Sequence, residues 1–290
     1  MKTLLVSFLA LLAWFGASAQ VSLEVVMDQD QFLPSESMRL AVKITNRSGQ
    51  ELHLGATPDW LTFSVESEDN FVVVKNADVP VVEPFDLESS QMATKHVDLE
   101  PYFQMGRPAR YKVTATLRIK EWGQTVSSAP AHFDVVNGGE LWSQDFGVMM
   151  VSNTPPEARR YTLLKANYLR EQLRLYVEVT TGDGSQVFKV TPLGPMVSFS
   201  VPEEQVDPAN RLHVLWQTGA QSFSYVVVSA NGTVASRDTY DNFNSRPHLS
   251  VTGDGAVAVV GGVRRPKAGD VPQVRLPQPQ PIPVPPPPAK

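Results

Sequence analysis

Apolar and polar residues alternate along many short segments of this chain, and the pattern predicts β-strands. The clearest case is residues 110–119, where every second residue from Tyr111 to Ile119 is apolar. A repeat of two residues is typical of strands that bury one face. Turn-forming residues separate such segments, and this spacing of short strands favours a β-sandwich in the first half of the chain. The other segments of this kind are 21–27, 38–44, 60–65, 71–74, 95–99 and 132–136.

Residues 21–137 resemble bacterial immunoglobulin-like β-sandwich modules. The resemblance rests on residues 40–46 (Leu-Ala-Val-Lys-Ile-Thr-Asn) and on residues 106–117, in which Tyr111 has the place of a corner tyrosine. It implies that the Tyr111 hydroxyl bonds back to the backbone of the preceding loop. The chain has no cysteine, so the disulfide of antibody domains is missing. The predicted order at the start of this region is a strand, an Asn-x-Ser sequence and another strand. This order is also similar to the opening of a bacterial family of Ig-like proteinase inhibitors.

The second half of the chain is predicted to be an antiparallel β-meander over residues 157–262, joined to the sandwich by a connector at 138–156. It contains a 37-residue repeat, which is marked by two sets of residues: Leu175, Leu212 and Leu249, and Val177, Val214 and Val251. A fixed period of this length indicates repeated supersecondary units. We expect the matching residues to face inward on equivalent strands. His213 should then point to the opposite face, be partly exposed and tolerate alanine.

The repeat resembles the blades of a β-propeller. Residues 211–216 look like a blade strand, and Asn231-Gly232 and Asp254-Gly255 look like hairpin turns. A closed propeller has four or more blades, and the repeat supplies about three copies. The alternative is a plain meander whose even strand lengths mimic a period.

The N-terminus has the pattern of a cleaved signal peptide. Lys2 precedes an uncharged apolar stretch at 4–15, which is too short to span a bilayer. Small residues at Ala17 and Ala19 predict cleavage that leaves Gln20 as the mature terminus. No later segment of that length lacks charges, so no membrane span is expected in the mature chain. These features predict an exported protein, periplasmic or secreted.

The C-terminal residues 263–290 are rich in proline, which fixes φ and removes backbone donors. We expect a disordered tail with polyproline II character. Such a tail serves as a spacer or a docking peptide, or has no partner.

Composition and motifs argue against several classes of function. The formal net charge is −5 and no basic run is present, which argues against nucleic-acid binding. No two of the five histidines lie within four residues of each other, and no hydrolase or phosphate-loop motif occurs. We therefore predict no catalytic residue, no cofactor and no metal site. The one loop candidate, for Ca²⁺, comprises Asp238, Asp241, Asn242 and Asn244.

These observations predict an exported, non-catalytic binding or assembly module of the cell envelope or extracellular space. Its partner would be a protein or a glycan that the sequence does not identify. Aromatic residues in predicted loops, such as Tyr102, Phe103 and residues 240–243, are the leading recognition candidates. Two alternatives stay open. One is an Ig-like proteinase inhibitor, and the other is a glycan-binding or glycan-active accessory protein.

Overall fold

We describe the protein from a computed structural model, in which residues 20–149, 156–169, 171–267 and 270 are placed. Strands make up the fold, and the helical elements of this part of the chain are two 3₁₀ turns, Glu100–Tyr102 and Lys120–Trp122. The prediction of an all-β protein is confirmed. Across the residues described, no helix has the length and apolarity needed to cross a membrane. The predicted signal peptide and residues 271–290 of the predicted tail lie outside the described residues.

The first domain consists of two sheets that share one core. One sheet has the order β1-β3-β7; the other has the order β2-β10-β8-β5, with β9 also on β8, and a small pair, β4-β6, lies beside them. The strands are β1 (Val21–Met27), β2 (Gln31–Phe32), β3 (Arg39–Asn46), β4 (Leu52–Leu54), β5 (Leu61–Ser67), β6 (Phe85–Leu87), β7 (Met92–Asp98), β8 (Ala109–Ile119), β9 (Gln124–Ser127) and β10 (Ala131–Val135).

Alternating burial builds this core. On β8, Tyr111 and every second residue to Ile119 are fully buried, as the pattern predicts. On β3, Leu40, Val42 and Ile44 are buried from the opposite sheet. Removing such apolar side chains from water supplies most of the stability of a sandwich. The apolar run at 71–74, in contrast, is not a strand; it lies in the long loop between β5 and β6.

The second domain begins earlier than predicted. Residues 138–156 were expected to form a connector, but Gly139–Val148 is a complete strand, β11, paired along its length with β12. The remaining strands are β12 (Glu157–Leu169), β13 (Gln172–Thr181), β14 (Val187–Pro195), β15 (Glu203–Val206), β16 (Leu212–Gln217), β17 (Ser222–Val228), β18 (Val234–Asp241), β19 (His248–Val251), β20 (Val257–Val260) and β21 (Val263–Arg264).

These strands form three stacked layers. The first is the meander β11-β12-β13-β14, the second is β15-β16-β17-β18 with β21 at its edge, and the third is the hairpin β19-β20. One core cluster lies between the first two layers, and another joins the second layer to the hairpin. The middle sheet is therefore covered on both faces, which explains why five consecutive residues of β16 are buried. The predicted antiparallel meander is confirmed.

The outer face of the first layer packs against the first domain. Leu33 lies in one apolar cluster with Ala166, Tyr176 and Val190 of the second domain. Beside it, the buried Glu36 carboxylate accepts hydrogen bonds from Gln29 Nε2 at 3.0 Å and from the Leu33 backbone N–H at 2.9 Å. Burial raises the pKa of Glu36, although these bonds oppose the shift.

The Arg174 guanidinium extends this polar contact from the second domain. It donates to Gln29 Oε1 at 2.6 Å and stacks over the Tyr168 ring at 3.6 Å. Hydrogen bonds and apolar contacts thus hold the two domains against each other.

The first residues of the predicted tail belong to the fold. Val263 pairs with Asp241 through β21, and Arg264 pairs with Tyr240. Arg264 also forms ion pairs with Asp238 and Asp270. The disorder predicted from residue 263 onward is therefore wrong for 263–267, where paired backbone and charged side chains replace the polyproline pattern.

Candidate functional site

Tyr111 forms the bond that the corner-tyrosine resemblance implies. Its hydroxyl donates to the Arg107 backbone carbonyl, four residues upstream, at 2.6 Å. The ring stacks on Phe133 with centroids 5.4 Å apart and meets Phe71 edge-on at 5.8 Å. Tyr111 is thus a structural residue that fixes the loop before β8.

Each of the three repeat leucines lies on the first strand of a hairpin, but the three do not occupy equivalent places in the sheets. Leu175 on β13 and Leu212 on β16 are fully buried in the same core, on facing sheets. Leu249 on β19 is only partly buried, in the cluster between the middle sheet and the third layer. Val251, expected to face inward, is 51% exposed. The repeat therefore marks hairpins, and it does not define a repeated sheet.

Two hairpins of the second domain turn through the same Thr-Gly-Asp-Gly sequence, at 181–184 and 252–255. Gly184 N–H donates to the Thr181 carbonyl at 2.9 Å, and Gly255 N–H donates to the Thr252 carbonyl at 2.8 Å. Gly184 and Gly255 have φ of +73° and +82°, a conformation that favours glycine. The two turns lie 71 residues apart, short of twice the 37-residue period, so the turn chemistry recurs without keeping the period.

His213 is buried, contrary to the prediction that it is partly exposed. It does point away from Leu212, as the alternation requires, but only 5% of it is exposed because the β19-β20 layer covers that side. Its Nδ1 lies 2.6 Å from the Tyr225 hydroxyl, and its Nε2 lies 3.1 Å from Asp207 Oδ2. The expected tolerance of alanine at this position no longer has a physical basis.

Asp207 anchors this polar network in the turn between β15 and β16. Its Oδ1 accepts the backbone N–H groups of Ala209 and Arg211, and its Oδ2 accepts the Arg211 side chain at 2.7 Å. Burial by itself would raise the pKa of Asp207, but these bonds and the one from His213 outweigh burial and lower it to about 2. The carboxylate is therefore ionised at neutral pH.

Asp207, His213 and Tyr225 place a carboxylate, an imidazole and a hydroxyl in a row, which is the arrangement of a proton relay. A nucleophilic hydroxyl, however, needs an activated, accessible oxygen. Burial and the nearby Tyr240 and Asp238 raise the pKa of Tyr225 to about 12. The Tyr225 ring lies inside the packed cluster of the middle sheet and meets the Tyr240 ring edge-on, with centroids 6.3 Å apart. The network is best explained as structural.

The residues proposed for Ca²⁺ do not converge on a cation site. Asp238 is bound by Arg264 and Lys267, and Asp241 is bound by Arg265, with oxygen–nitrogen distances of 2.6–2.7 Å. Those bonds lower the pKa of both carboxyls, although burial of Asp238 acts in the opposite direction. The protein's own cations thus occupy both carboxylates. Asn242 and Asn244 follow in the loop after β18, and the Asn242 backbone N–H donates to the Gln221 carbonyl.

The acidic pair Glu203-Glu204 lies at the start of β15 and not in a solvated loop. Glu203 accepts the Leu249 backbone N–H at 2.7 Å, so it ties the third layer to the middle sheet. Burial, followed by the neighbouring Glu203 charge, raises the pKa of Glu204.

The tryptophans of the described chain and two of the aromatic loop candidates pack into or against the two cores. Trp60 and Trp216 are buried, and their indole N–H groups donate to the backbone carbonyls of Val81 and Pro195. The other two tryptophans of the described chain pack partly buried against the two cores, Trp122 against the first and Trp142 against the second. Phe103 is buried and Tyr102 packs beside it, so neither presents a free ring. The tryptophans therefore supply packing and not a recognition platform.

One end of the middle sheet carries large exposed apolar side chains. Phe199 and Val201, in the loop before β15, are 76% and 78% exposed, and Phe243, in the loop after β18, is 71% exposed. Antiparallel pairing places the start of β15 and the end of β18 at the same end of this sheet. We call these three side chains the apolar rim.

Backbone contacts fix the loops of the rim. The Val197 N–H donates to the Gln217 carbonyl at 3.2 Å, and the Gln217 N–H donates to Ser200 Oγ at 3.2 Å. The second loop is tied at its start, since the Asn242 N–H donates to the Gln221 carbonyl at 2.8 Å. Both loops are thus tied by hydrogen bonds to the β16-β17 hairpin, which anchors the segments that carry the exposed phenylalanines. Phe243 belongs to the loop aromatics predicted at 240–243, whereas no sequence pattern marks Phe199 and Val201, because a lone apolar residue in a loop has no periodicity.

No protein-family model and no curated protein matches this chain. Among solved structures, the crystal structure of Spo0M, the sporulation control protein from Bacillus subtilis, aligns with 10% sequence identity over 61% of this chain and 91% of Spo0M. The TM-score is 0.32, and a likeness at this level carries no argument about fold or function.

Proposed function

We propose that this protein is an exported, non-catalytic binding or assembly module that contacts a partner protein of the cell envelope through the apolar rim. The observation that carries the proposal is the exposure of Phe199, Val201 and Phe243 at one end of a sheet whose two faces are already covered. Large exposed apolar patches typically mark a protein contact. Anchored loops favour such a contact because little conformational entropy is lost on binding.

Site-specific cross-linking in intact cells tests this proposal. Phe199 is replaced by p-benzoylphenylalanine and the cells are irradiated; the expected result is one discrete cross-linked product. The matched control carries the same photo-reactive residue at Asn231, in the β17-β18 turn at the opposite end of the sheet. The double variant Phe199→Ser with Phe243→Ser should lose co-purification of the partner found in this way. A product of equal yield from Asn231, or none from Phe199, contradicts the proposal.

A proteinase inhibitor is the second candidate, and a loop of the first domain favours it. Val72 is 87% exposed in an extended segment after β5. Two backbone bonds hold this segment: Gln104 N–H donates to the Val74 carbonyl, and Asn76 N–H donates to the Tyr102 carbonyl, at 2.9 and 2.8 Å. An extended, anchored loop is the form in which inhibitors enter a protease cleft, and preorganisation strengthens binding.

Inhibition assays against serine, cysteine and metalloproteases distinguish this candidate from the first. Inhibition that Val72→Asp abolishes, and that Phe199→Ser leaves intact, favours the inhibitor. Val260→Asp is the matched control, because Val260 is also an exposed valine but lies in the third layer of the other domain. No inhibition by the wild-type chain removes the candidate.

A further inference from the structure

A two-stranded sheet of the first domain brings an imidazole and a carboxylate together. His53 on β4 is directly opposite Asp86 on β6, and Nδ1 of His53 lies 2.7 Å from Oδ1 of Asp86. The neighbouring Leu52, Leu54 and Leu87 are buried in the core. Since successive strand residues point to opposite faces, this burial fixes both polar side chains on the outer face.

Glu51 adds a second carboxylate to this pair. The ligand-type atoms of Glu51, His53 and Asp86 all lie within 4.8 Å of one another, and all three residues are exposed. The carboxylate of Glu121, in the second 3₁₀ turn, acts on the His53 imidazole more weakly than those of Asp86 and Glu51. Asp86 raises the pKa of His53, first through its hydrogen bond and then through its charge, and Glu51 and Glu121 add smaller effects in the same direction.

In the part of the chain that the structure describes, the carboxylates of the cluster have no lysine or arginine as a partner. Two other carboxylates of the first domain do have one: Asp59 lies 2.6 Å from Arg118, and Glu83 binds Lys95. Within the described residues, the only ion-pair partner of Asp86 is the imidazole of His53, and Glu51 has no ion-pair partner. The cluster is therefore a concentration of negative charge that no lysine or arginine of the described chain neutralises.

We propose that Glu51, His53 and Asp86 bind a divalent transition-metal ion of the zinc class. One imidazole nitrogen and two carboxylate oxygens form a ligand set that zinc accepts in proteins, and imidazole disfavours Mg²⁺ and Ca²⁺, which take oxygen ligands. The ion replaces the hydrogen bond between His53 and Asp86, with Nδ1 and Oδ1 both turned to the metal. Three protein ligands leave one tetrahedral position for water or for a donor from another molecule.

Sequence spacing could not reveal this site. His53 and Asp86 are 33 residues apart, and only the β4-β6 pairing brings them together. The prediction of no metal site rested on the absence of histidines close to one another in sequence, and that criterion cannot detect a site with a single histidine. The proposal is independent of the apolar rim, which lies in the other domain.

Calorimetric titration of the purified chain with ZnCl₂ tests the proposal. We expect saturable binding of one ion per chain, with MgCl₂ giving none at the same concentrations. His53→Ala and Asp86→Asn should each weaken Zn²⁺ binding by at least about tenfold, since loss of even an outer-sphere partner of a metal site costs about 10–100-fold. All three ligands are exposed, so the variants should fold, and circular dichroism checks this.

The matched control is His132→Ala. His132 is also an exposed strand histidine with a carboxylate at 2.9 Å, that of Glu68, but Arg110 lies 4.0 Å from the same carboxylate. This variant should bind Zn²⁺ like the wild type. Equal loss in His132→Ala and His53→Ala overturns the assignment, and so does the absence of saturable Zn²⁺ binding by the wild-type chain. Binding that survives His53→Ala also overturns it, because the proposed ligand set then lacks its nitrogen.

Discussion

The imidazole Nδ1 of His213 lies 2.6 Å from the hydroxyl oxygen of Tyr225, inside the second domain. Both residues are buried, and each belongs to a strand of the middle sheet. A buried hydrogen bond of this kind contributes little when it is made and costs much when one partner is lost.

We therefore predict that His213→Ala destabilises the protein by about 2–4 kcal/mol, because the Tyr225 hydroxyl loses a buried partner and a cavity forms. Urea unfolding followed by circular dichroism measures the free energy of unfolding. The control is His132→Ala, which removes an exposed contact with Glu68 and should change stability by less than about 1 kcal/mol. Equal effects of the two variants would contradict the burial of His213.

The carboxylate of Asp207 should make stability depend on acid pH. Its folded-state pKa of about 2 lies below the ordinary value of 3.8, so its ionised form is favoured in the folded protein. The resulting stabilisation is present above about pH 4 and is lost as the pH falls towards 2. The difference in unfolding free energy between wild type and Asp207→Asn should thus shrink over this range. A difference that stays constant from pH 5 to pH 2 would show that Asp207 does not titrate as described.

The Tyr111 hydroxyl is expected to stabilise the first domain. Tyr111→Phe keeps the ring stacked on Phe133 and removes the bond to the Arg107 carbonyl, which should cost about 1 kcal/mol or somewhat more. Tyr111→Ala also removes the ring and should cost about 3–5 kcal/mol. Chemical denaturation of both variants separates the two contributions. If Tyr111→Phe is as stable as wild type, the hydrogen bond of the hydroxyl makes no net contribution to the free energy of unfolding, and the prediction is wrong.

The repeat leucines should differ in their energetic importance. Leu212→Ala opens a cavity between two sheets and should cost roughly 2–5 kcal/mol. Leu249→Ala should cost less, because Leu249 is only partly buried under the third layer. Thermal unfolding of the two variants under identical conditions provides the comparison. Equal losses would restore the equivalence of positions that the 37-residue spacing predicts.

Maturation should occur after Ala19, which removes the charged and apolar N-terminal segment and leaves Gln20 first. Intact-mass measurement of the protein recovered from outside the cytoplasm checks this. The variant Ala19→Tyr should block processing, since small residues are required at the cleavage site. A recovered product that still begins at Met1 would refute the prediction.

The local alternation of apolar and polar residues was sufficient to predict the strands that bury one face. The alternation at 110–119 predicted β8 and its inward side chains, because a strand with one face on a core must repeat every two residues. The same rule correctly placed Leu212 and His213 on opposite faces of β16. Turn chemistry also acts locally, and it therefore marked the hairpin turns at Asn231-Gly232 and Asp254-Gly255.

Tertiary structure decided what lies on each face. His213 is buried because the β19-β20 hairpin covers the second side of β16, and nothing in the residues around His213 encodes that layer. The strand at Gly139–Val148 was predicted to be a connector because turn-forming glycine and proline residues bound the segment 138–156. Most of its side chains are exposed, and pairing with β12 makes it a strand. His53 and Asp86 likewise meet only through the pairing of β4 with β6. Burial periodicity is a local property that the sequence determines by itself, whereas contacts between distant strands depend on how the sheets pair and stack.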